Sequence, residues 1–206
     1  MSGVVRRLRA SSEPALFALP ESETRQVLVA GDGDVRLYRA WLGGLDADAL
    51  LAEIRENARW VRERRKMYDR FVDVPREQAW FGADREQSWT PMLLEVRRRL
   101  EALTGAHFSH VLLNRYRDGK DSVAWHNDRD VEGFPEPAIG SLSLGATRAF
   151  DLRPKAARAR ITSIDLEHGD LLVMRAQTQR HWEHRVAKDP RIAGERINVT
   201  FRQIAE

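Results

Sequence analysis

The chain contains no cysteine, which excludes disulfides and thiolate metal sites and leaves histidine and carboxylate as the ligands for any bound metal. That fits a reducing compartment, so the expected location is intracellular, and cytoplasmic if the source is bacterial. Long apolar runs are missing too. No stretch approaches the length of a membrane span, and no membrane partner is expected. The opening Met1-Ser-Gly-Val-Val-Arg-Arg-Leu-Arg9 lacks the apolar centre of a secretory leader and reads as a flexible basic start. Residues 1–20 are expected to be loose and residues 21–206 to form one domain, as a monomer. Internal repeats and low-complexity segments are absent. So is a large excess of either charge: the formal balance is +3 over 206 residues, with a sequence pI near 9.6, mild for a protein that binds polyanions. With 42% hydrophobic residues, the length suits one well-buried domain and is short for two.

What is present is strand patterning behind a helical front. Asp46 to Trp60 carries Leu50, Leu51, Ile54 and Ala58 at helical spacing. A second helix is predicted over Pro91–Leu103, with Thr90 as N-cap, Gly105 beyond the end, and Leu93, Val96, Leu100 and Leu103 as its stripe. That assignment puts Arg97-Arg-Arg99 on the solvent face. From Phe108 onward, short strands are expected at 110–117, 122–127, 139–152, 160–166, 170–176, 182–187 and 196–204, separated by Asp/Gly or Pro/Glu turns. Many short strands predict a mostly β fold with flanking helices, a double-sheet jelly roll whose one sheet is buttressed by the helices. Residues 188–195 read as the loosest connection.

The chemistry concentrates in His126-x-Asp128, His184 and Arg196-x-Asn198-x-Thr200-Phe201-Arg202. Two histidines and a carboxylate can fill one face of an Fe(II) ion and leave the other positions open for co-substrate and dioxygen. The stretch 121–128 has no helical stripe, and extended residues two apart share a side, so His126 and Asp128 are expected to face one ion, with His184 arriving from another strand. A second H-x-D pair, His168-Gly-Asp170, sits between apolar runs where Gly169 marks a tight turn, and is read as structural. In 196–202 the alternation puts Arg196, Asn198, Thr200 and Arg202 on one strand face and Ile197, Val199 and Phe201 on the other. A solvated strand would show the same pattern. Two forked cations beside a metal site, however, are also what binding of a small dicarboxylate requires.

These segments, together with Val74–Gly82, Asn114–Asp128, Ser141–Phe150 and His168–Met174, resemble the AlkB family of nucleic-acid dealkylases, especially the branch of the human homologues 2 and 3. The resemblance runs in family order from about residue 74 to 204 and thins back towards residue 36. It implies a jelly-roll dioxygenase with Fe(II), 2-oxoglutarate and O2. Its reaction is oxidative dealkylation of bases of the N1-methyladenine and N3-methylcytosine type in DNA or RNA, with 2-oxoglutarate converted to succinate and the alkyl group released as aldehyde. Residue by residue, it implies that His126, Asp128 and His184 hold iron and that Asn114, Tyr116, Arg196, Asn198, Thr200 and Arg202 line the 2-oxoglutarate site. Asp130 corresponds to an acidic position that contacts the damaged base.

On the substrate side, Trp80, Phe81, Trp89 and Arg148 are expected to face the base, and Tyr68 matches a duplex-wedging position. Trp125 and Trp182 are expected to wall the metal site. The lid segment Ala83–Trp89 is shorter than in relatives. A basic cluster of Arg148, Arg153, Lys155, Arg158 and Arg160, offset only by Asp151, offers phosphate contacts, with Arg153, Lys155 and Arg158 as the backbone ligands. A second basic run spans Arg59–Arg70. Three rival readings remain: the same oxygenase chemistry on RNA, protein or a small molecule; a cupin-type metal enzyme without 2-oxoglutarate; and a binding module with a dead site.

Overall fold

The computed structural model describes residues 25–29, 32–67, 69–82, 85–128, 134, 137–175 and 177–204. The expected loose residues 1–20, Tyr68 and Asp130 therefore lie outside the described residues. Seven strands form the larger sheet: β1 (Arg25–Val29), β2 (Asp34–Tyr38), β5 (Glu77–Gly82), β6 (His110–Tyr116), β8 (Ala138–Gly145), β11 (Leu171–Arg175) and β13 (Arg196–Arg202). Their spatial order is β1-β2-β11-β8-β13-β6-β5, with antiparallel pairing throughout. A four-stranded sheet takes β7 (Val123–His126), β9 (Arg148–Pro154), β10 (Thr162–Leu166) and β12 (Trp182–Val186) in the order β10-β9-β12-β7. A hairpin of β3 (Arg64–Met67) and β4 (Arg70–Asp73) stands apart from both. The helices are α1 (Gly44–Asn57), α2 (Pro91–Thr104) and the short α3 (Thr178–His181).

Period-two alternation gives the larger sheet two unlike faces. Leu171, Val173, Val199, Phe201, Val111 and Leu113 point to one side and pack on Leu50, Ile54, Leu93, Val96 and Leu100 of α1 and α2. That is the helix-covered layer the sequence predicts. The other face meets the smaller sheet through Val35, Leu37, Ile139, Leu172 and Met174, which pack on Phe150, Leu152, Ile164 and Val186. This second core fills only part of the space between the sheets. The inward residues of β13 are polar, and a cavity remains where they lie.

The two long helices form as expected, with the Thr90 side chain accepting from the Leu93 N–H at 3.3 Å. Arg99 departs from its expected solvent position. It is buried, with its guanidinium over the Trp41 ring at 4.8 Å and Nη2 donating to the Trp41 carbonyl. The stretch expected as one strand over 139–152 is two, β8 and β9, and they belong to different sheets. Gly145, at φ 87°, makes the passage. Only glycine adopts that conformation without strain, and a Cβ there would also collide with the Glu195 carbonyl. The connection 188–195, expected to be loose, is pinned: Gly119 N–H donates to the Ile192 carbonyl (2.7 Å) and Asp189 N–H to the Gly119 carbonyl (2.8 Å). The two backbones approach so closely that a side chain at Gly119 would strike Asp189.

Candidate active site

Register assembles the cavity. Across β5, β6, β13 and β8, Gln78, Asn114, Asn198 and Ser143 stand in one row, and Trp80, Leu112, Thr200 and Ser141 in the next. Tyr116 pairs with Arg196 one row further along. These residues share a sheet face because each lies an even number of positions from its strand neighbour in the set. Opposite them, His184 on β12 and His126 at the end of β7 are register partners in the smaller sheet. The enclosed volume is about 440 Å³.

His126, Asp128 and His184 converge, with candidate ligand atoms all within 4.8 Å of one another. Asp128 lies beyond the end of β7, so strand alternation alone does not place it. Its backbone N–H donates to Gln179 Oε1 of α3 at 2.9 Å, which fixes the turn. His126 Nδ1 lies 2.9 Å from the Ala124 carbonyl. A carbonyl only accepts, so Nδ1 carries the proton and Nε2 offers its lone pair towards Asp128 and His184. His184 is buried and stacked on Phe150 at 5.2 Å, and burial lowers its pKa to about 4, keeping the imidazole neutral. Burial would raise the Asp128 carboxyl, but Arg202, His184 and His126 outweigh it and hold the group below the ordinary carboxylate range. Two imidazoles and an ionised carboxylate, without thiolate, suit a divalent iron site.

The two arginines of β13 do different things. Arg202 Nη2 donates to Asp128 Oδ1 at 2.7 Å, so it orients the carboxylate of the candidate metal set. Arg196 is 1% exposed. Its Nη2 donates to Ser143 Oγ (2.9 Å) and Asn198 Oδ1 (3.1 Å), while Nε and Nη1 have no acceptor among the described residues. Burial lowers its pKa to about 10, so it remains a cation at neutral pH. A buried cation with two unsatisfied donors at a cavity wall is a receptor for an anion. The neighbours are arranged to match. Ser141 Oγ donates to Asn198 Oδ1 (2.9 Å) and Asn198 Nδ2 to Thr200 Oγ1 (2.6 Å). Arg76 Nε and Gln78 Nε2 both donate to Asn114 Oδ1 at 2.9 Å. Burial pushes the Tyr116 phenol up, against the pull of Arg196, Arg76 and Arg148.

The cavity therefore brings together His126, Asp128, His184, Asn114, Tyr116, Arg196, Asn198, Thr200, Arg202 and Trp80. Among the described residues, the other expected base contacts, Phe81, Trp89 and Arg148, lie elsewhere. Phe81 is 2% exposed and packs in the helix-side core, because it alternates with Trp80 on β5. Trp89 stacks on Phe201 at 6.2 Å on that same side. Arg148 is 1% exposed, behind Tyr116, donating to the carbonyls of Asp118, Asp121 and Ala187. Trp125 carries the guanidinium groups of Arg153 (3.9 Å) and Arg185 (4.5 Å) over its ring and does not line the cavity. Trp182 donates through Nε1 to Asp32.

In the basic cluster, Arg153 is held by Glu183 (2.7 Å), and Lys155 Nζ donates to the Gln179 carbonyl (3.0 Å), leaving Arg158 and Arg160 exposed. The offsetting carboxylate is Glu183, while Asp151 pairs with Arg185. In the other basic run, Arg62 and Arg64 lie near Asp73. The second H-x-D pair is structural: His168 Nδ1 accepts from Gly145 N–H, and Asp170 accepts from Ala40 N–H. Sequence reasoning gave no role to Arg76, Gln78, Gln179 or Glu63, although Arg76 and Gln78 lie in a segment that carries the family resemblance.

Comparison with known proteins agrees with this geometry. The model of the 2OG-Fe(II) oxygenase superfamily matches residues 34–202. Alpha-ketoglutarate-dependent dioxygenase alkB homolog 3 of Rattus norvegicus is 32% identical over 215 residues, covering 96% of this chain and 73% of that protein. DNA oxidative demethylase ALKBH2 of Mus musculus is 31% identical over 188 residues, covering 81% of this chain and 79% of its own. The solved structure of OsALKBH1 superposes with a TM-score of 0.64 at 17% identity, over 87% of this chain and 99% of that one. That likeness concerns the fold.

Proposed function

The chain belongs to the AlkB family of the 2OG-Fe(II) oxygenase superfamily and is an Fe(II)- and 2-oxoglutarate-dependent dioxygenase that uses O2; from that premise we propose that it dealkylates nucleobases of the N1-methyladenine and N3-methylcytosine type in DNA, with RNA as a second substrate polymer. Support for oxygenase chemistry rests above all on Arg196, a buried cation at the cavity wall with two donors that lack an acceptor among the described residues, in the same cavity as a histidine–carboxylate set. Support for a nucleic-acid substrate comes from the relatives, whose names include a DNA oxidative demethylase.

In this reading His126, Asp128 and His184 hold the iron. When bound, iron with 2-oxoglutarate and dioxygen supplies the oxidation that hydroxylates an N-alkyl carbon, giving succinate, carbon dioxide and, after the carbon–nitrogen bond breaks, an aldehyde. The protein's own work is placement. Arg196 neutralises one carboxylate of the co-substrate, and Asn198, Thr200, Tyr116 and Asn114 complete its hydrogen bonding. Arg202, which orients Asp128, would meet the co-substrate's other carboxylate. The target base must leave its stack to reach the metal, and Trp80, with the Arg202 guanidinium over its ring, walls the space it would enter. Asp130 is assigned to the base's exocyclic amino group from the family resemblance. Arg158, with Arg153 and Lys155 behind it, is assigned to the nucleic-acid backbone.

The deciding experiment measures succinate and formaldehyde from oligonucleotides carrying N1-methyladenine or N3-methylcytosine, single- and double-stranded, DNA and RNA. Stoichiometric release of both products is expected. Succinate formation with no formaldehyde from any of these polymers would reassign the enzyme to a protein or small-molecule substrate. For Asp130→Ala, decarboxylation without substrate should persist while activity on these cationic lesions falls more than activity on neutral ones. Equal loss on both would remove Asp130 as the base reader.

A further inference from the structure

Beside the metal cavity lies a second cleft of about 360 Å³. The two share Glu63, Gln78 and Trp80 as a common wall. The volume falls within the range of about 300–1,000 Å³ usual for small-molecule sites. The cleft exists because Gln87 is held against the edge strand β5. Gly82 N–H donates to the Gln87 carbonyl (3.2 Å), Gln87 Nε2 to the Trp80 carbonyl (3.1 Å), and Arg59 N–H to Gln87 Oε1 (2.6 Å). On the other side Val61 and Gln78 exchange backbone hydrogen bonds of 2.8 and 2.9 Å. Backbone hydrogen bonds and the Gln87 side-chain amide thus hold the walls.

We propose that this cleft seats the nucleobase next to the one held in the metal cavity, so that a single strand occupies both. The proposal deepens the dealkylase reading and rests on it. The shared wall makes the cavities adjacent, with Trp80 between them. One guanidinium from each side lies over its indole ring, Arg202 at 5.6 Å from the metal cavity and Arg85 at 5.3 Å from the cleft. The charges that line the cleft balance: Arg59 and Arg85 stand against Glu63 and Glu86. A phosphate would favour a cationic lining, whereas a neutral base with both donors and acceptors matches a balanced one. Val61, 63% exposed, supplies apolar surface beside the indole. Chemical need points the same way. Extruding one base strips its neighbour of a stacking partner, and the planar Arg85 guanidinium layered on the indole, flanked by Val61, takes the partner's place.

The test uses trinucleotides with central N3-methylcytosine and the fluorescent base 2-aminopurine on either its 5′ or its 3′ side, bound to the enzyme loaded with metal and 2-oxoglutarate. Quenching is expected from one side only. An abasic residue on that side should weaken binding about five- to a hundredfold, the range for removal of one stacked base. Val61→Glu and Arg85→Ala should each erase the side preference while leaving substrate-free decarboxylation and turnover of a methylated nucleoside unchanged. Equal quenching from both sides, or a preference that survives both substitutions, overturns the proposal. Formaldehyde release reads the dealkylase assignment separately. Side-specific quenching without formaldehyde keeps the cleft and removes that assignment, formaldehyde without side preference does the reverse, and neither signal removes both.

Discussion

Arg196 and Arg202 lie on one face of one strand, yet their surroundings divide their roles. Arg202 is already bonded to Asp128, while Arg196 keeps two donors without an acceptor among the described residues. Arg196→Ala should therefore weaken 2-oxoglutarate binding about ten- to a hundredfold, the worth of a charge-assisted hydrogen bond of roughly 1.5–3 kcal/mol, with metal affinity unchanged. Arg202→Ala should weaken both, because Asp128 loses its orienting donor. Titration calorimetry with each ligand separates the two, and equal metal losses in both variants would contradict the division. Asp128→Ala and His184→Ala should abolish turnover with the far-UV spectrum intact, since two protein ligands remain where three are needed. A folded variant with wild-type turnover would remove the metal assignment. The convergence of His126, Asp128 and His184 was legible from the residue types and their spacing, although the turn that carries Asp128 was not, and the β13 face was legible because a period-two pattern fixes which side chains share a side. Phe81 and Trp89 misled because aromatic identity says nothing about which sheet face a residue takes.

Among the elements, α2 and most strands were legible from the sequence, where capping and alternation are local signals. The split of 139–152 was not. Apolar residues continue through Gly145, and only the three-dimensional path shows the chain leaving one sheet for the other. Nor was the role of Arg148, which sits in a run of cations that reads as surface. Its donors instead tie the carbonyls of Asp118, Asp121 and Ala187 together behind Tyr116. Arg148→Ala leaves those carbonyls without that donor and should cost about 2–4 kcal/mol in urea unfolding. Arg158→Ala, at an exposed position, should stay within about 0.5 kcal/mol. Similar losses for the two would return Arg148 to the surface.

At the scale of the whole molecule, no helix among the described residues is long and apolar enough to cross a membrane. The jelly roll is only partly filled by its second core, so ligands complete its interior. Divalent metal with 2-oxoglutarate, each at about 100 times its dissociation constant, should stabilise the fold by roughly 2.7 kcal/mol per independent site. Thermal melting of the apo, metal-bound and doubly loaded protein reads this directly, and a melting point indifferent to both ligands would contradict it. Nucleic-acid affinity belongs to this scale too. Replacing Arg158 and Arg160 by alanine should flatten the salt dependence on duplex, by up to about 0.9 in slope for each phosphate that is no longer neutralised. An unaltered slope would make both residues ordinary surface.

The rows that cross β5, β6, β13 and β8 carry one more consequence. Because neighbouring residues of β13 face opposite ways, sliding it by a single position would turn Ile197, Val199 and Phe201 into the cavity and bury Arg196 and Arg202 against the helices. No intermediate alignment gives a half-competent site. Competence is thus gained in the same step that locks β13, and a chain caught one residue out of alignment would be silent rather than slow.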